Sequence, residues 1–203
     1  MMRTSWLRKL FLRTSEAGSR ATRARAEAGD VQAQVDMAVT CSREGEGAPD
    51  PDGAAAWYRK AAEQNHAQAQ FDFGMLCAEG RGVPCDEVEA LRWLRKAAQQ
   101  GHAAAQYEVG VRCRRTTFGR RRTDATESRI EAYKWLRLAA NQGSSEAMAA
   151  WEQMALDMPA EEVAEGNLRA GQFASSTTTS IADNPSSQQA KYDSFRLTSS
   201  ETR

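Results

Sequence analysis

The sequence predicts an all-α protein built from stacked helix pairs, and three observations predict it. Of 203 residues, 36 are Ala and only 10 are Val or Ile; Ala is the best helix former, whereas β-branched residues favour sheets. One block recurs: Trp57-Tyr58-Arg59-Lys60-Ala61-Ala62 returns 36 residues later as Trp93-Leu94-Arg95-Lys96-Ala97-Ala98, then after 42 more as Trp135-Leu136-Arg137-Leu138-Ala139-Ala140. A second block keeps the same step (Ala33-Gln34, Ala69-Gln70, Ala105-Gln106), and so do Gly29, Asn65, Gly101 and Gly143. Self-similarity at a fixed period marks a repeat architecture. Leu, Ile, Val and Phe together make only 27 residues, so an ordered core must pack small side chains closely, helix on helix.

Charge narrows the function. Lys and Arg number 27 and so do Asp and Glu, which argues against a whole-surface nucleic-acid binder; no nucleic-acid partner is expected. No stretch approaches the roughly 20 apolar residues of a membrane span. The neutral sum hides an uneven distribution. Residues 1–25 hold seven basic residues and one acidic one, and Trp6, Leu7, Leu10 and Phe11 share one helical face. That pattern suits a helix on an anionic membrane surface, a targeting segment, or a capping or frayed terminus, and the three readings stay open. A second basic stretch is Arg112, Arg114, Arg115, Arg120, Arg121 and Arg122. The remainder of the repeat body is therefore acidic.

The elements follow in order. Repeats are expected over about 30–65, 66–101 and 102–143, inside a body of residues 26–173. In the second unit a helix runs from His66 to about Glu79, and Gly80-Arg81-Gly82-Val83-Pro84 breaks it. Asp86 then caps the next helix, with Glu89 completing a capping box; Ser128 and Glu131 repeat that box in the third unit. Asp50 caps the corresponding helix of the first unit, with Pro51 at the tolerated first position. Gly29, Asn65, Gly101 and Gly143 suit the left-handed residue that ends a helix. Leu91, Trp93, Leu94, Ala97 and Ala98 give a buried stripe. Residues 144–173 close the array, with Ser144 capping one helix and a last helix over Pro159–Gln172. From Ala174 to Arg203, Ser, Thr, Asn and Gln dominate, and a disordered tail is expected.

Gly80-Arg81-Gly82-Val83-Pro84-Cys85-Asp86, followed by Ala90-Leu91-Arg92-Trp93-Leu94-Arg95-Lys96-Ala97-Ala98-Gln99-Gln100-Gly101-His102, resembles a Sel-one-like repeat (SLR). This family is a cousin of the tetratricopeptide repeats, and the chain resembles its bacterial members. The resemblance implies a right-handed α/α superhelical solenoid whose first helices line a concave face. Departures lie in the loop Glu44–Pro49, in Ala38 where Gly74 and Gly110 follow the pattern, and in a six-residue insertion near Arg114–Ser128.

Chemistry is sparse. Cys41, Cys77 and Cys113 occupy one repeat position, so they read as small packing residues in a reducing compartment, the cytoplasm. A Cys77–Cys85 disulfide is the lesser alternative. His66 and His102 recur with the repeat, and no nucleophile–base motif, metal spacing or cofactor motif stands out; neither catalysis, metal nor cofactor is expected. The expected partner-binding residues are Asp36, Gln70, Phe71, Asp72, Met75, Gln106, Tyr107, Glu108 and Val111, an acidic ladder with apolar neighbours that favours a protein or peptide bearing Lys or Arg. The function expected is a protein-interaction adaptor. Two alternatives stand beside it: a hydrolase or binder of cell-wall precursors or β-lactams, as among cysteine-rich relatives, and contact with acidic lipid or nucleic acid through the basic segments.

Overall fold

The computed structural model describes residues 19–43, 49–115 and 122–182, and their only regular structure is α-helix. Residues 19–27 form α1. It is followed by α2 (Val31–Ser42), α3 (Pro51–Glu63), α4 (Ala67–Glu79), α5 (Glu87–Gln99), α6 (Ala103–Arg115), α7 (Arg122–Asn141), α8 (Ser145–Asp157) and α9 (Ala160–Ala182). Two compact units divide the chain, Met1–Ala105 and Gln106–Arg203. The apolar cluster Trp6–Phe11, the departing loop residues Glu44–Ala48, and Arg120 and Arg121 lie outside the described residues.

In the first unit, local signals set the helix ends. Asp30, Asp50 and Asp86 cap α2, α3 and α5 by accepting the backbone N–H groups of Ala33, Gly53 and both Val88 and Glu89. Pro51 stands in the first turn of α3, where its missing N–H costs nothing. Helices α1, α3 and α5 end on left-handed residues: Gly29, Asn65 and Gly101 have φ of 98°, 65° and 86°. One half of the expected capping box is not made. The Glu89 carboxylate accepts from Arg92 and from the indole N–H of Trp93 (3.2 Å), because a buried indole donor needs an acceptor.

Small residues let these helices touch. Ala38, Ala61, Ala69, Ala90, Ala97 and Ala98 are fully buried, and Phe73 meets Trp93 edge-on at 5.6 Å. A Cβ on Gly74 would stand 3.0 Å from the Leu94 side chain, so glycine admits α5 against α4. The constraint at Gly82 is harder. Its φ is +70°, and a Cβ there would fall 2.0 Å from the carbonyl oxygen of Pro51. The loop after α4 is therefore pressed against the start of α3.

The second unit corrects two expectations. Ser128 and Glu131 form no capping box, because α7 already begins at Arg122. Residues 122–127 contain neither Gly nor Pro, so the insertion lengthens the helix. The last helix likewise does not end at Gln172, and residues 174–182 are not tail: α9 continues to Ala182. Ser and Thr each cost a helix only about half a kcal/mol against Ala. The Ser175 and Ser176 hydroxyls also donate to the carbonyls of Gln172 and Phe173 (2.9 and 2.8 Å). Residues 183–203 lie outside the described residues. Within this unit α7 carries both α8 and α9. A Cβ on Gly166 would come 2.5 Å from the Tyr133 ring, and Trp135 meets Phe173 edge-on at 5.3 Å.

Candidate functional site

The polar residues that recur at the start of each first helix divide into two kinds. Gln34, Gln70 and Gln106 are buried, at 4%, 1% and 1% exposure. Their amide oxygens accept from Gln64, Gln100 and Gln142 at 2.9, 2.7 and 2.8 Å. Gln34 and Gln70 also donate to the carbonyls of Ala26 and Ala62 (3.1 and 3.2 Å), near two helix C-termini, where the backbone N–H groups of Gly29 and Asn65 donate to the same oxygens. Each glutamine thus staples its helix to its neighbours. Gln70 and Gln106, expected on the binding surface, are removed from it: a buried amide with its hydrogen bonds filled has nothing left for a ligand. The signal was present in the sequence, since Gln64, Gln100 and Gln142 each follow the Trp block by seven residues.

The carboxylates remain accessible. Asp36 on α2 is exposed, and Phe71, Asp72 and Met75 on α4 are half-buried. Gln32 donates to one oxygen of Asp36 and Gln68 to one oxygen of Asp72, both at 3.0 Å and both four residues back. Burial pushes the Asp72 carboxyl above its ordinary value, and the Gln68 hydrogen bond with the nearby His102 and His66 offsets this only in part. Asp72 is therefore a half-buried anion without a full counter-charge.

In the second unit Tyr107, Glu108 and Val111 are half-buried, and their setting differs. Tyr107 packs against Ala139, Ala140 and Ala147. Glu108 forms an ion pair with Arg112, whose side chain is only 11% exposed. Arg112 is thereby withdrawn from the expected basic patch, because a half-buried carboxylate one turn back takes up its charge. Arg114 and Arg115 are exposed in the last turn of α6, and Arg122 opens α7.

The two histidines have a role the sequence did not announce. Nδ1 of His66 accepts from Ala69 N–H, and Nδ1 of His102 from Ala105 N–H, each at 3.2 Å. Both rings cap helices. All four cysteines are free, so Cys77 and Cys85 form no disulfide. Cys77 and Cys113 are buried and Cys41 half-buried, as packing residues would be. Burial pushes the Cys77 thiol up to about 11, with Glu89 and Asp86 adding to it. Such a thiol is a poor nucleophile at neutral pH. Among the described residues no group of His, Cys, Asp and Glu is placed to hold a metal ion, and no helix is long and apolar enough to cross a membrane.

Helix pairs of this length, stapled by buried amides and closed on left-handed residues, define a helical-repeat protein of the solenoid class. The Sel1 repeat matches residues 31–66, 67–102 and 103–144, more than half of the chain, and the chain belongs to that family. Among solved structures, it is similar to c5321, a protective antigen present in uropathogenic Escherichia coli strains and displaying an SLR fold. The identity is 28% and the TM-score 0.65, over 78% of this chain and 32% of that one. It thus spans about a third of c5321. A Sel1 repeat protein from Oxalobacter formigenes is 32% identical with a TM-score of 0.52, over 66% of this chain and 96% of that one. No curated protein matches the sequence. Sel1 repeats generally mediate protein–protein interaction, and proteins of this fold are typically non-catalytic scaffolds.

Proposed function

We propose that this chain is an interaction adaptor that takes an extended, Lys- or Arg-bearing segment of a partner protein on the open faces of α2 and α4. Asp36 and Asp72 would hold basic side chains, while Phe71 and Met75 supply apolar contact. The observation that carries this reading is the state of Asp72. It is half-buried, one oxygen is held by Gln68, and burial pushes its pKa upward. A carboxylate that pays for burial without a cation gains when a partner supplies one. The i−4 glutamine at both Asp36 and Asp72 fixes the carboxylates beforehand, so little ordering is lost on binding. Glu108 occupies the equivalent position in the second unit but already has Arg112, so the acidic character rests on the first two repeats.

An array of extended peptides of graded charge, probed with the full chain, tests this. Lys- and Arg-bearing peptides should be captured, and Asp36→Asn with Asp72→Asn should weaken the best of them by about tenfold. Adding Glu108→Asn should change little. Equal capture by wild type and the double variant would sink the reading.

A further inference from the structure

The ring of His102 ends a hydrogen-bond chain in which every role is fixed by a group that cannot reverse its own. The Asp72 carboxylate only accepts, so Gln68 faces it with its amide nitrogen, at 3.0 Å. The Gln68 oxygen then faces His102, and ring Nε2, 2.9 Å away, must donate. At the other side the backbone N–H of Ala105 only donates, and it meets Nδ1 of the same ring at 3.2 Å. Both ends require one tautomer, with the proton on Nε2 and the lone pair on Nδ1. Phe71 covers the ring face, stacked at 4.8 Å and 24°.

A second proton has one place to go. On Nδ1 it would point at the Ala105 N–H, turning the cap bond into a meeting of two donors. It would also put positive charge at a helix N-terminus, where the dipole disfavours it. The surroundings resist that charge: burial holds the His102 ring below its ordinary value, and the attraction of Asp72 only partly offsets this. Asp72, on α4, is the charged group that acts on the ring, and His66 at the start of α4 acts on Asp72 in turn. The turn out of α5 (Gln99, Gln100, Gly101) and the first turn of α6 (Ala103 to Gln106) carry no titratable side chain.

We propose that His102 is a proton-operated cap, closed while the ring is neutral and released when it takes a second proton, so that mild acidification loosens the first turn of α6. The chain holds its own controls. His66 caps α4 in the same way and Gln32 pairs with Asp36, but among the described residues no hydrogen bond joins Gln32 to His66, so that ring is held at Nδ1 alone. In the second unit Ser144 caps α8 through its hydroxyl, 3.2 Å from Ala147 N, and a hydroxyl does not titrate here. The device shares Asp72 and Phe71 with the proposed binding face, but its test needs no partner.

Nitrogen-15 NMR of the full chain reads each part. His102 should show the Nε2–H tautomer at neutral pH. As the ring titrates, exchange protection of the Ala105 amide should fall by about tenfold, while that of Ala147 holds. His102→Asn keeps a capping acceptor without a titratable ring and should remove the pH dependence at Ala105. If that variant does not fold, Gln68→Glu serves instead: a carboxylate beside Nε2 should raise the ring's titration and carry the loss of protection to higher pH with it. An Nδ1–H tautomer, constant protection at Ala105 through the titration, or unchanged pH dependence in His102→Asn would overturn the proposal. So would a Gln68→Glu variant in which the titration moves and the loss of protection does not.

Discussion

The two units solve the same problem, holding one helix against the next, with different chemistry. In the first, the buried staples between helices are neutral amides: Gln34 with Gln64, and Gln70 with Gln100. Ion pairs there form within a helix, as in Arg59 with Glu63 and Arg92 with Glu89. The second unit keeps one such staple, Gln106 with Gln142, but fastens its last helix with charge. Arg129 on α7 pairs with Glu162 on α9, and Arg169 on α9 reaches Glu127 and Glu131 on α7 as well as Glu165 on its own helix. Tyr133 and Arg137 converge on Asn167. Amides suit the fully buried seam, where an ion would cost far more than it returns. Ions suit the end helix, where partial exposure keeps desolvation cheap and geometry gives register.

That contrast can be broken from either side. The largest effect is expected at Gly82. Gly82→Ala puts a Cβ against the Pro51 carbonyl in a left-handed conformation and should cost the first unit about 3 kcal/mol in denaturant unfolding. Gln70→Leu comes next. It removes one hydrogen bond each from Gln100, Asn65 and the Ala62 carbonyl and should cost about 2 kcal/mol, with exchange protection lost first at the end of α3 and the start of α4. Arg169→Gln should loosen α9 by about 1 kcal/mol and leave the first unit unchanged. Raised salt should mimic it, since exposed ion pairs are screened and amide bonds are not.

Acid should separate the units by the smallest margin. The His102 ring is held below its ordinary 6.5 by burial. Its stabilising contribution is full above that value and is lost as pH falls through the lower, folded value. Hydrogen bonds from Arg169 and Arg129 hold Glu127 and Glu162 below their ordinary 4.5, so the second unit keeps that contribution until pH falls past 4.5. Asp72 works the other way: raised above 3.8, it weakens the fold while ionised, and its protonation at lower pH returns part of what His102 gave up. Residue-resolved exchange should therefore show α6 loosening at a higher pH than α9; the reverse order would contradict these assignments.

What was legible in the sequence was local. Asp50, Asp86 and Ser144 cap helices, and Asn65 and the glycines take left-handed turns, because those roles depend on a few neighbouring residues. The start of α7 was not legible: Ser128 and Glu131 match a capping box whether or not six helix-compatible residues precede them. The buried glutamines were misread because a polar residue recurring on a helix fits a ligand surface as well as an internal staple. Only their partners, Gln64, Gln100 and Gln142 at the same step, distinguish the two. The histidine caps gave no signal, since a capping ring nitrogen depends on a tautomer that sequence does not display. For the proposed docking face, the recurrence of carboxylates at Asp36, Asp72 and Glu108 was legible, but not the pairing of Glu108 with Arg112.

The claim that binding belongs to the first two repeats is tested most directly by mapping a captured basic peptide on the NMR spectrum of the full chain. Perturbations should centre on Asp36, Phe71, Asp72 and Met75 and vanish with Asp36→Asn and Asp72→Asn. Perturbations confined to α8 and α9, or unchanged in the double variant, would contradict it.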